Sequence, residues 1–177
     1  MVDWERVYKL LHEVTPLAVD CGHLCGSICC TEWEKGVGMY LFPGEEVMFD
    51  RTEDWLTWQE HAPADYDFCP EWHRPVYFVL CRGVCPRERR PFACRTFPVM
   101  PYFTGEGKLE LRLDGAGVPI CPLVQAGDIS LLDRRFLARA RLAWEELIRD
   151  PLIRAHVLWE SRQLDRAAEE PWRKLLK

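Results

Sequence analysis

The sequence predicts an α+β fold, a single loop-rich domain of short strands with helices at its C-terminal end. Three observations carry this. Val76-Tyr77-Phe78-Val79-Leu80 is an apolar run of strand length, and Lys108 to Leu113 alternates with period two. Ile129, Leu132, Phe136, Ala140, Ala143 and Leu147 recur at helical spacing. With 177 residues, 48% of them hydrophobic, the chain can bury one ordinary core. No linker or repeat divides it, so residues 1–177 are read as one domain. About 17–122 form a cysteine-rich part and 128–170 a helical pair.

Along the chain, Trp4, Val7, Tyr8 and Leu11 follow helical spacing, with Asp3 suited to cap the start and Pro16 to stop the run. Residues 17–36 hold four cysteines and three glycines and read as a loop. Gly22 and Gly26 argue against a helix there, because glycine is a poor helix former. Val37 to Phe42 is a strand ended by the turn Pro43-Gly44. The spacing of Trp55 and Trp58 predicts a short helix over 53–60, capped by Thr52. The strand beginning at Val76 runs directly into Cys81. Gly105 and Gly115 bracket the alternating strand. Asp150-Pro151 reads as an N-cap and first helical residue opening a second C-terminal helix to about Ala168.

The formal net charge is −5, which gives no overall nucleic-acid surface, and no stretch is long enough to span a membrane. The N-terminus has acidic residues and no apolar signal region, so the expected compartment is cytoplasmic. Nine cysteines are unusual in that setting. Reducing compartments rarely maintain structural disulfides, and nine is an odd number, so metal binding is favoured over a disulfide framework.

The cysteines fall in two groups. The first is Cys21-x3-Cys25-x3-Cys29-Cys30; the second is Cys81-x3-Cys85 followed by Cys94, with Cys121 further on. Glycines between closely spaced thiols let the backbone fold around one ion, and soft thiolates select zinc, copper(I) or iron–sulfur centres. Adjacent Cys29 and Cys30 point oppositely in extended chain, so both reach one ion only across a sharp bend. Arg82, Arg87, Arg89, Arg90 and Arg95 lie among the second group, where they would neutralise bound thiolates or form a solvated face. A radical S-adenosylmethionine motif is excluded, because the third cysteine comes one residue late and the chain is short for a barrel.

The paired clusters, with Arg90-Pro91-x-x-Cys94-Arg95-x-Phe97-Pro98, resemble the zinc- or iron-chelating CxxCxxCC (YkgJ-like) proteins. The likeness is strongest to uncharacterised bacterial members with a DCGxLCGxxCC start and a GMYLFPGEE segment, here Asp20 to Cys30 and Gly38 to Glu46. It covers about residues 20–122. It implies an iron–sulfur cluster or zinc held by Cys21, Cys25, Cys29, Cys30, Cys81, Cys85, Cys94 and Cys121, with Cys69 extra. The first group runs C-x3-C-x3-CC where the family has C-x2-C-x2-CC, and Pro86-Arg87-Glu88 replaces the usual residues after the second group's pair. A similar domain occurs in a flagellin lysine N-methylase, which brings methyl transfer into view.

Other candidates weigh against simpler roles. His23 reads as an exposed loop residue before a ligand, His61 and His73 as structural, and Cys69 as a buried thiol. Glu45 and Glu46 follow a turn and read as solvent-exposed rather than as an acid/base pair. Arg95, next to a cysteine, would donate to cluster sulfurs or grip an anionic ligand, so it is the candidate cofactor-binding residue. The functional expectation is a metal-binding protein acting in electron transfer or as a structural adaptor. The alternative is an enzyme using the centre for redox chemistry or methyl transfer. The expected partner is an unidentified protein or small molecule, not nucleic acid and not a membrane.

Overall fold

The computed structural model describes residues 2–30, 36, 38–65, 68–83 and 85–169, with Cys30 and Asp65 described in their backbone alone. Val37, the expected start of the first strand, lies outside them.

Helix α1 (Trp4–Leu11) opens on Asp3, whose carboxylate accepts from the Arg6 amide at 3.0 Å. Its buried face is Trp4, Val7, Tyr8 and Leu11, the stripe expected from spacing. The expected loop from 17 onward contains two short helical turns, α2 (Gly22–Cys25) and a 3-10 turn Ile28–Cys30. Gly22 therefore begins a single helical turn, and Gly26 ends it in the left-handed region at φ 63°.

The strands β1 (Gly38–Tyr40), β2 (Leu56–His61) and β3 (Val76–Cys81) form an antiparallel sheet in the order β1-β3-β2. β2 corrects the expected helix over 53–60. Asp50 closes a turn on the Thr52 amide and hydroxyl, so Thr52 caps nothing, and Leu56 to His61 pair residue for residue with Cys81 to Val76. Cross-strand pairing with an apolar neighbour outweighed the three-residue spacing of Trp55 and Trp58.

Helix α3 (Phe92–Thr96) and strand β4 (Val99–Phe103) fall where the sequence carried no expectation. β4 pairs antiparallel with β5 (Leu109–Leu113), the alternating strand, in a separate sheet. Pro101 interrupts β4 without breaking a ladder. It is two residues from Phe103, whose amide faces away from β5 and donates to Ser161 Oγ at 2.9 Å, so the missing N–H of Pro101 lies on that same outer side.

Helix α4 (Pro122–Gln125) follows Cys121, and the long helices are α5 (Arg134–Leu147) and α6 (Pro151–Glu169). α5 starts later than the stripe from Ile129 suggested. Asp128 closes a 3-10 turn over Ile129–Leu131, and Asp133 then caps α5 through the Phe136 amide at 2.9 Å. Asp150 accepts from the Leu152 amide at 3.0 Å at the head of α6.

One core joins these parts. Phe136, Ala140, Ala143 and Leu147 of α5 pack with the α1 stripe, with Val79 and Leu56 from the first sheet and with Val99 and Phe103 from the second. Phe92, Phe136, Leu147 and Ile153 are wholly buried, each contributing about 2–3 kcal/mol. A smaller cluster holds Cys69, Trp72, Val76 and Leu152. The chain is a single α+β domain. Among the described residues no helix is long and apolar enough to cross a membrane.

Candidate metal centre

Three separate segments bring cysteines to one cavity. The first is the turn after Asp20, whose carboxylate accepts from the Gly22 amide at 2.9 Å; that bond holds its pKa below the usual range. Gly26 at φ 63° and Ser27 at φ 59° are successive left-handed residues, and they turn the chain so that Cys21, Cys25 and Cys29 line the same space.

The second segment is α3. Its first residue, Phe92, is wholly buried, with edge-on contacts to Trp4, Phe42 and Trp144. The Phe92 amide also donates to Glu45 Oε1 at 2.6 Å. With Phe92, Arg95 and Thr96 turned into the protein, Cys94 is left to line the cavity. The third segment follows the 3-10 turn Gly115–Gly117, which Asp114 caps by accepting from Ala116 N. The Cys121 amide donates to Gly117 O at 2.8 Å, and Cys121 is buried in the cavity wall. Gly117 is needed here. A Cβ would meet the Phe97 ring at 2.8 Å and Val124 Cγ2 at 2.9 Å.

The cavity has a volume of about 50 Å³. Its wall contains Cys21, Cys25, Cys29, Cys94 and Cys121, together with Arg87, Arg90, Arg95 and His12; the rest is mainly apolar. No carboxylate lies among the described lining residues. The arrangement is therefore rich in thiols and positive in charge, the setting in which thiolate is stabilised.

Arg95 is held rigidly. Nε donates to Arg90 O at 2.7 Å, Nη2 donates to Glu88 O at 2.6 Å, and the guanidinium lies 4.2 Å from the Tyr8 ring centre. Burial pushes its pKa down, opposed by Tyr8 and Glu45. Two of its donors are thus committed to backbone carbonyls while the residue still forms part of the wall. The other arginines divide between the two expected roles. Arg87 lines the cavity and pairs with Asp20 at 3.4 Å, whereas Arg89 faces outward on Glu53.

Glu45 is a correction. It was expected in solvent, but it is wholly buried and accepts from Tyr8 Oη at 2.7 Å, Phe42 N at 2.9 Å and Phe92 N at 2.6 Å. Desolvation pushes its pKa up to about 7, against the pull of these three donors. Glu45 ties α1 to the helix bearing Cys94. Nothing in the doublet Glu45-Glu46 signals this, since two of the three donors, Tyr8 and Phe92, come from distant parts of the chain. Tyr8 and His12, both on or beside α1, were also missed as neighbours of the site.

Not every candidate reaches the cavity. Cys81 ends β3 opposite Leu56, and buried Cys85 places its thiol 3.7 Å from Pro86 O; neither lines the cavity among the described residues. The Cys30 side chain lies outside the described residues. Cys69 sits in the smaller core cluster, its amide 3.4 Å from His156 Nδ1, and burial pushes its thiol pKa up. His23 is exposed, His61 stacks on Phe78, and His73 Nδ1 contacts Glu71 O. Among the described residues no three His, Cys, Asp or Glu side chains are already arranged to hold one ion.

Comparison with protein-family models, curated proteins and solved structures gives no match.

Proposed function

We propose that the thiol cavity is a metal centre, an iron–sulfur cluster or zinc, in a protein that acts in electron transfer or as a structural adaptor. The observation that carries this is the meeting of Cys21, Cys25, Cys29, Cys94 and Cys121, from three separate segments, around one small space walled by arginines. The donor set suits the group, because thiolates prefer zinc and iron–sulfur centres and arginines offset the charge that ligation adds. Size agrees. A volume of about 50 Å³ holds about four water molecules, enough for an inorganic group and too little for most organic substrates.

Cys21, Cys25, Cys29, Cys94 and Cys121 are the residues that would hold the metal. Ligation requires their thiols to lose protons and rotate inward, which couples metal uptake to pH. A bound cluster would supply a one-electron carrier, and zinc a cross-link between segments. Arg95, fixed by Glu88 O, Arg90 O and Tyr8, keeps a positive charge beside the thiolates in either case. This reading agrees with the resemblance to the YkgJ-like proteins. For Cys81 and Cys85, which the resemblance adds to the ligand set, a place in a second centre or in structure fits better than a place in this cavity.

One observation favours a second reading, a metal-dependent enzyme of redox or methyl-transfer type. A groove of about 470 Å³ lies alongside, lined by Tyr8, Lys9, Glu13 and Glu88, and it shares His12 and Arg95 with the thiol cavity. An organic substrate would fit there. Anaerobic purification with elemental analysis, sulfide assay and optical spectroscopy tests the main proposal. Stoichiometric iron with acid-labile sulfide, or stoichiometric zinc, supports it; protein without bound metal after reconstitution with either refutes it.

A further inference from the structure

The outer faces of α1 and α5 form a second feature, independent of the cysteines. Between them runs a groove of about 210 Å³ lined by Arg6, Lys9, Leu10, Glu13, Val14, Arg135 and Arg139. It holds four cations and one carboxylate, in a chain whose formal net charge is −5. Glu13 pairs with Arg135 at 3.2 Å. Among the described residues no carboxylate forms an ion pair with Arg6, Lys9 or Arg139. The concentration of unneutralised positive charge in one groove of an acidic protein is the first observation.

The second is apolar. Arg135, Arg139 and Leu142 follow one another at i, i+4 and i+7, so they share one line along α5. Leu142 is 46% exposed, and Leu131, just before the helix, is 54% exposed. A line of two arginines ending on an exposed leucine suits an occupant whose acidic side chains are flanked by an apolar one.

We propose that this groove docks an acidic, leucine-bearing segment of a protein partner. A membrane surface fits less well, because lipid recognition uses a larger cluster of basic residues than three unpaired cations. Nucleic acid fits less well because the chain as a whole carries a net charge of −5, which disfavours a long polyanion. Val14 lines both this groove and the thiol cavity, so the groove adjoins the wall of the proposed centre. The docking itself does not depend on that centre.

The probe is a short fluorescent glutamate-rich peptide with flanking leucines, titrated at low salt and again at raised salt. Inorganic phosphate and anionic phosphatidylserine vesicles are titrated in parallel. The expected result is saturable peptide binding that weakens with salt and falls about tenfold or more in an R6E/R139E variant. Arg6 is exposed and Arg139 half-buried, and circular dichroism checks that the variant folds. Binding should persist in a C94S/C121S variant, which separates this inference from the metal reading. The proposal is overturned if the peptide does not bind, if R6E/R139E binds it equally, or if only phosphate or vesicles bind.

Discussion

Replacing Glu45 with glutamine should change how stability depends on pH, with a sign that the structure fixes. Glu45 is wholly buried, and desolvation pushes its pKa from 4.5 up to about 7. The folded protein therefore binds more protons at this site than the unfolded chain between pH 4.5 and 7. Stability from this group is fully present below about 4.5 and is lost as the pH rises through 7. A difference of two to three pKa units corresponds to about 3 kcal/mol. His156 acts in the opposite direction. Buried against Phe68, Trp72 and Trp159, it is held neutral with its pKa pushed down from 6.5 to about 4. Its contribution is present above 6.5 and lost as the pH falls to 4. Glu160, 3.5 Å from His156 and pushed by burial from 4.5 up to about 7, acts in the same direction as Glu45. His156 and Glu160 are common to parent and E45Q and drop out of the comparison, so the stability of the parent relative to the variant should rise by about 3 kcal/mol as the pH falls from 7 to 4.5. Urea unfolding under reductant and chelator measures it. With a slope of about 2 kcal/mol/M, the difference between the two midpoints should change by about 1.5 M. A difference that stays constant with pH would refute the account of Glu45 as a buried, proton-binding tie.

Three further outcomes follow from particular contacts. Gly117→Ala would push a methyl group into Phe97 and Val124, at a cost of about 1–3 kcal/mol, read as a lower urea midpoint. Ser161→Ala leaves the outward amide of Phe103 without its acceptor and should cost about 1–3 kcal/mol; amide exchange at Phe103 should rise more than at its neighbours. Cys69→Ser should leave metal content unchanged, because Cys69 belongs to the smaller core cluster and not to the thiol cavity; loss of metal in this variant would place a ligand where the structure has none.

The helices at both ends were legible in the sequence because amphipathic spacing and capping residues act locally. Asp3, Asp150 and the α5 stripe from Phe136 onward each do what their positions suggest, while Ile129 and Leu132 fall before the helix. The strands were legible only in part. Val76 to Leu80 and Lys108 to Leu113 carry their own pattern, whereas Leu56 to His61 becomes a strand through its partner and Val99 to Phe103 hides behind Pro98 and Pro101. At the site, cysteine spacing shows which segments carry thiols but not which segments meet. Cys121, isolated in sequence, reaches the same cavity as Cys21, while Cys81 and Cys85, which share a segment with Cys94, do not line it. Glu45 was misjudged for the same reason: its burial depends on Tyr8 and Phe92, donors lying 37 and 47 residues away.

Single serine substitutions at Cys25, Cys94 and Cys121, one from each segment, test the central reading most directly. Each variant would be reconstituted anaerobically and compared with the parent for metal stoichiometry and optical spectrum. Shared ligation predicts that all three lose or alter the same centre. Normal metal content and an unchanged spectrum in all three would mean that these thiols meet without serving a metal.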